Sequence, residues 1–269
     1  MPDADYHVHT RHSLDSNEEM ENQCQAAIAV GIKEIAFTEH VDHDTCDTAS
    51  REHYDYDAYC ASVESCREKY GDRLTILRAA EVDWNHSIQA EVEEFLGRTE
   101  FDFIIGSVHN LDHRYVGFDT VESFGGPRKM YESYYDEIEG LVEAGFPSVI
   151  GHLDLPRRYH GISPFDVDRA FFEDRLRGIF RKAAANGVGF EINTSGLRRG
   201  NGVTFPEPEV IAWFLEEGGG ILTVGSDSHR AEDTGDGIDT VFKRLLELGI
   251  DWRTSFVSGK PERVALQPV

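Results

Sequence analysis

Short apolar segments recur along this chain, and almost every one of them runs straight into a histidine or a carboxylate. The segments at 5–9, 34–38, 74–81, 102–107, 148–151, 189–193 and 221–225 predict seven strands, with a short extra one at 255–257. Between them, windows at 17–30, 57–70, 87–96, 128–144, 167–186, 207–217 and 239–248 carry helical spacing or strong helix formers. Strands that alternate with helices along one chain pair in parallel through right-handed crossovers.

The connections are unequal. Each helical window stops at a glycine, at Gly31, Gly71, Gly97, Gly145, Gly187 and Gly218, and re-enters a strand within a few residues, which predicts helix C-caps. The connections that leave the strands are much longer, at 41–55, 110–127, 152–166 and 194–206. Long loops gathered on the C-terminal side of parallel strands are the active face of a TIM-barrel-like β/α barrel. An open doubly wound sheet is the competing architecture, but no G-x-G-x-x-G turn follows the first strand. With no internal repeat, low-complexity tract or linker, 1–269 is expected to be one domain.

Composition narrows the function. Fifty acidic residues against 26 basic ones give 269 residues a formal charge of −24, which repels nucleic acid and anionic membrane surfaces and favours a small-molecule substrate. At 40% hydrophobic the chain can fill a core, and no apolar run approaches the roughly 18 residues of a membrane span. The first ten residues show no basic-then-apolar leader, so a cytoplasmic location is expected. The cysteines Cys24, Cys46, Cys60 and Cys66 form no C-x-x-C pair and read as ordinary thiols.

Six of the seven predicted strands end in candidate metal ligands: His7 and His9, His40, Glu81 and Asp83, His109, His152 and Asp154, and Asp227 and His229. Side chains alternate across a strand, so His7 and His9 face one side and can reach one ion; Asp227 and His229 repeat that spacing. His53, His86, His113 and His160 lie away from strand ends and read as hydrogen-bonded structural residues. Imidazole and carboxylate without thiolate suit zinc, manganese or iron(II) alike.

The ordered motifs His7-Val8-His9, Thr38-Glu39-His40, Glu81-Val82-Asp83, Gly106-Ser107-Val108-His109, Gly151-His152 and Ser226-Asp227-Ser228-His229 resemble those of the polymerase and histidinol phosphatase (PHP) superfamily. The stretch Glu191-Ile192-Asn193-Thr194-Ser195-Gly196-Leu197-Arg198 is similar, more narrowly, to its histidinol-phosphate phosphatase branch. The resemblance runs from residue 5 to about residue 230. It implies a distorted seven-stranded (β/α)7 barrel holding three divalent transition-metal ions. By motif, His7, His9, Glu81 and Asp227 would bind one ion, and Glu81 would bridge to a second held by His109 and His152. His40 and His229 would bind the third, its remaining ligand coming from the segment after His9. The spacing there departs from the family's, and Asp15 is favoured over His12.

Three divalent ions would exceed the charge of Asp15, Glu81, Asp227 and one hydroxide, so a positive pocket would draw in a phosphate monoester dianion for in-line attack by a metal-bridging hydroxide. Glu81, Asp227 and His229 are thus the expected catalytic core. On the long loops Arg198, and then Arg158 or Arg157, are expected to grip phosphate, while Asp42, His43, Asp44 and Asp47 could meet a cationic leaving group. The resemblance implies hydrolysis of L-histidinol phosphate to L-histidinol and phosphate, a step of histidine biosynthesis; the alternative is a nucleotide or another small phosphate monoester. An amidohydrolase-like barrel is disfavoured, because no lysine stands at a strand end.

Overall fold

The structure is a computed structural model that describes residues 2–44, 46, 48–257 and 259–266. In chain order its elements are β1 (Ala4–Val8), α1 (Met20–Val30), β2 (Glu34–Val41), α2 (Thr48–His53), α3 (Tyr56–Tyr70), β3 (Thr75–Asp83), α4 (Gln89–Leu96), β4 (Phe103–Ser107), β5 (Asn110–Leu111), β6 (Arg114–Tyr115), α5 (Pro127–Ala144) and β7 (Val149–Ile150). They continue with α6 (Leu155–His160), α7 (Pro164–Asn186), β8 (Gly189–Asn193), α8 (Ser195–Arg198), α9 (Pro208–Glu216), β9 (Leu222–Gly225), α10 (Ile238–Glu247), β10 (Trp252–Val257) and β11 (Lys260–Ala265). Seven strands form one parallel sheet in the order β1-β2-β3-β4-β7-β8-β9. The two ends of that sheet meet through a single parallel bridge, Val8 to Ser228, where the His9 amide donates to the Ser228 carbonyl at 2.8 Å. The seven-stranded β/α barrel expected from the sequence is therefore present, nearly closed.

Its strands are buried on both faces, which is why they read as apolar runs rather than as alternating ones. Ile35, Phe37, Phe190, Ile192, Leu222 and Val224 face the helices outside. The opposite positions line the interior in two zones. At the bottom Tyr6, Ala36, Leu77, Ala79, Phe103, Ile105 and Val149 form an apolar plug. Continuing two residues at a time along the same face, β2 reaches His40, β3 reaches Glu81 and Asp83, and β4 reaches Ser107. In β1 the pairing with β2 slips between Asp5 and Val8, and across that irregularity the inward set passes from Ala4 and Tyr6 to His7 and His9.

The extra strand is longer than expected and has a partner: β10 and β11 form an antiparallel hairpin. It docks at the apolar end, where the Phe256 amide donates to the Tyr6 hydroxyl at 2.8 Å and Phe256 packs on Phe103. Among the described residues no helix is long and apolar enough to cross a membrane.

Candidate metal centre

The parallel register sets the centre of the site. His40 of β2 pairs directly with Glu81 of β3, and one strand further on Ser107 donates to Glu81 Oε1 at 2.6 Å. Glu81 is almost wholly buried and stands among five imidazoles. Its Oε2 lies 3.3 Å from His7 Nε2, 3.5 Å from His9 Nε2 and 3.0 Å from His40 Nδ1; its Oε1 lies 3.4 Å from His109 Nε2 and 2.8 Å from His152 Nε2. Asp227 closes the far side, with Oδ1 3.8 Å from His9 Nε2 and 3.5 Å from His229 Nδ1. The rings of His40 and His229 each stack on His9 at 4.3 Å.

The segment after His9 brings Asp15 to this cluster, with Oδ2 3.0 Å from His229 Nε2 and 3.6 Å from His40 Nε2. His12 turns away, bonding Ser62 at 2.9 Å and meeting the edge of the Tyr59 ring. His53, His86, His113 and His160 stand outside the cluster, each bonded to a carbonyl or a carboxylate.

Among the described residues, four groups of donors lie close enough to hold an ion: His7, His9 and Glu81; Glu81, His109 and His152; His9, His40 and His229; and His40, Asp42 and His109. The donor chemistry, imidazole nitrogen and carboxylate oxygen, fits a divalent transition metal. So does the hydrogen bonding, since His7 Nε2, His9 Nε2, His40 Nδ1 and His229 Nε2 are buried with no well-aligned hydrogen bond and face carboxylate oxygens of Glu81 or Asp15 at 3.0–3.5 Å. A buried ring nitrogen left that way costs about 1–3 kcal/mol unless a ligand takes it up.

Electrostatics point the same way. Burial works against an ionised Glu81, yet His7, His40 and His109 hold its carboxyl far below the usual range; burial is likewise overcome at Asp227, chiefly by Arg158 and His7. Burial also works against the His7, His40 and His109 cations, but Glu191 and Glu81, then Glu81 and Asp15, then Glu81 and Asp42 raise those imidazoles well above their ordinary value. His9, buried among His229, His40 and His7, is pushed well down. Such alternation of charge is a functional-site signature rather than a folding device.

A further layer fixes the rings. His7 Nδ1 meets Glu191 Oε1 at 2.7 Å, and His9 Nδ1 meets the Ser13 hydroxyl at 3.1 Å, which donates in turn to buried Glu39 at 2.6 Å. His109 Nδ1 lies 3.3 Å from Asp42. Glu191 had no role in the reading from sequence, although a lone acid in the strand Gly-Phe-Glu-Ile-Asn was a signal for it, because the corresponding segment was the one predicted strand with no candidate ligand at its end.

The three loop arginines have different partners. Arg198 donates through Nη1 to the Ser226 carbonyl and through Nη2 to the Asp227 carbonyl, both at 2.6 Å, so it braces the turn after β9, and its Nε lies 3.5 Å from Asp233 Oδ2. Asp227 has a φ of 54°, a left-handed backbone that such bracing helps to hold. Arg158 of α6 donates through Nη1 to Asp227 Oδ2 at 2.6 Å while its buried Nε has no partner. Arg157 is taken up by Glu207. Of the acidic loop, Asp42 reaches His109, whereas Asp44 is bound to His113 and Asn85; Asp47 lies outside the described residues. Tyr115, on the next long loop, has its ring 6.5 Å from that of His109 and 4.6 Å from that of Phe118.

The PHP domain family model matches residues 5–195, most of the chain and most of this site. The chain belongs to the PHP domain family. Among its relatives, the probable histidinol-phosphatase of Deinococcus radiodurans is 27% identical over 265 residues, covering 91% of this chain and 94% of that protein. The histidinol-phosphatase of Lactococcus lactis is 26% identical over 248 residues, with 86% of each chain covered. This PHP barrel superposes on the crystal structure of histidinol phosphate phosphatase from Lactococcus lactis, complexed with zinc, L-histidinol and phosphate, with a TM-score of 0.84 at 24% identity over 97% of this chain and 98% of that one.

Proposed function

We propose that this PHP protein is a metal-dependent phosphatase that hydrolyses L-histidinol phosphate to L-histidinol and phosphate. The observation that carries the reading is the cluster around Glu81, with two carboxylate oxygens that each serve a different set of imidazoles at the mouth of a barrel. The relatives named histidinol-phosphatase, and the fold shared with an enzyme solved with L-histidinol and phosphate, support the substrate.

In this reading Glu81 would serve two ions, one that His7, His9 and Asp227 would also hold and one that His109 and His152 would hold, and His40, His229 and Asp15 would hold a third. Zinc, manganese or iron(II) fits these donors. When bound, such ions polarise a phosphoryl oxygen and lower the pKa of water toward neutrality. The chain supplies the rest. Arg158, anchored by Asp227, keeps an unpartnered Nε–H that would donate to a phosphate oxygen. Arg198 positions Asp227 through its carbonyl. Asp42 at the rim faces the cationic end of the substrate, and Tyr115 walls it.

Phosphate release from metal-loaded protein tests this. Since ions and arginine treat every monoester alike, discrimination rests on the leaving group, and kcat/KM for L-histidinol phosphate is expected to exceed that for adenosine monophosphates by at least about a hundredfold. Equal or faster nucleotide hydrolysis would transfer the assignment to a nucleotide phosphatase, with Tyr115 and Phe118 as the stacking surface.

A further inference from the structure

The structure assigns a role to Glu191: we propose that it is a positioning residue that aligns a ligand on each side of the two-ion site, His7 through its ring and His152 through its backbone. The inference rests on the reading above that both histidines ligate metal. Glu191 and His7 are wholly buried, and Glu191 Oε1 lies 2.7 Å from His7 Nδ1. Its other oxygen, Oε2, accepts from the His152 amide at 3.1 Å and from Asn193 Nδ2 at 3.4 Å. One carboxylate in β8 thus holds β1 on one side and the chain leaving β7 on the other.

The space for it is built into the neighbouring strand. A Cβ on Gly225 would crowd both Glu191 Oε1, at 2.5 Å, and His7 Cβ, so β9 leaves room for the carboxylate only because this residue has no side chain. An acceptor at Nδ1 keeps a proton on that nitrogen, so Nε2, 3.3 Å from Glu81, is the nitrogen that would give up its proton and offer its lone pair to a metal ion. Every partner of Glu191 is a donor, so only a group with acceptors at both ends satisfies them. A glutamine would present one oxygen and one amide, and the amide would face an N–H.

Zinc alone is the probe. By competition with a chromophoric chelator, Glu191→Gln is expected to weaken zinc binding by about 10–100-fold while keeping a cooperative melt. His7→Asn, measured alongside, is expected to lose one ion. Full zinc binding by His7→Asn would overturn the ligand reading itself. Loss in His7→Asn with Glu191→Gln within about twofold of the parent would overturn the role of Glu191 alone. Should Glu191→Gln fail to fold, the parent protein decides: nitrogen-15 histidine spectra of the zinc-loaded chain should show a proton on His7 Nδ1, assigned by its absence in His7→Asn. A proton on Nε2 instead would overturn the proposal.

Discussion

Glu81 stands between imidazoles whose affinity for protons its charge raises and whose nitrogens a metal ion would take over. Glu81→Gln removes the charge but not the volume, so the barrel should keep its melting temperature while turnover falls by at least about a hundredfold in a phosphate-release assay. Arg158 and Arg198 separate by the same logic. Arg158→Met should cost about 2–4 kcal/mol in kcat/KM, and, because its guanidinium pairs with Asp227 Oδ2, should weaken zinc binding as a secondary effect. Arg198→Met should lower zinc content by elemental analysis as well, because it releases the carbonyls of Ser226 and Asp227. That difference was not legible in the sequence. Strand-end position revealed the cluster residues, since period-two geometry follows from the residue order, but what a loop arginine bonds depends on where the next turn passes. The same holds for Asp15 against His12, which differ by three positions and by the direction in which one turn leaves β1.

At the scale of elements, strand and helix placement was legible because burial on both faces leaves unbroken apolar runs and because helices of ten or more residues carry their own period. The connections were not. Read as loops, 41–55, 152–166 and 194–206 hold the short helices α2, α6 and α8, too brief for a periodic signal. Glycine stops held at most helix ends but were not uniform in kind: Gly31 and Gly187 are left-handed caps, Gly71 and Gly97 end α3 and α4 with right-handed backbone, and α9 is capped by Glu217, one residue before the expected Gly218. Barrel closure is where an element matters most to the site. Because β9 passes so near His7 and Glu191 at Gly225, Gly225→Ala should force the strands apart, destabilising the fold by about 1–3 kcal/mol in urea unfolding and lowering zinc retention. Parental zinc retention in that variant would show that the β1–β9 contact does not shape the centre.

The whole molecule carries a charge of −24 yet buries several raised imidazoles in one cavity, and the two facts meet in its response to metal. Metal that binds only the folded chain stabilises it by about 4 kcal/mol per site at a thousandfold excess over Kd. At roughly 2–4 °C per kcal/mol, stripping the protein with a chelator should lower Tm by at least about 8 °C. The pH dependence has a definite sign. His7, His40 and His109 are raised in the metal-free fold, so their pairing with carboxylates stabilises that fold fully below the ordinary imidazole value and is lost as pH climbs through the raised ones. Metal needs the same nitrogens deprotonated, so its affinity climbs over that window. Both effects act together, and the gap in Tm between zinc-loaded and stripped protein should widen from pH 6 to pH 8. Calorimetry at the two pH values, with zinc content measured on the same samples, checks the expectation of about three ions per chain. A gap that stayed constant or narrowed with rising pH would mean that the buried imidazoles are not the groups metal displaces protons from, and a plateau at one ion would reduce the centre to a single site.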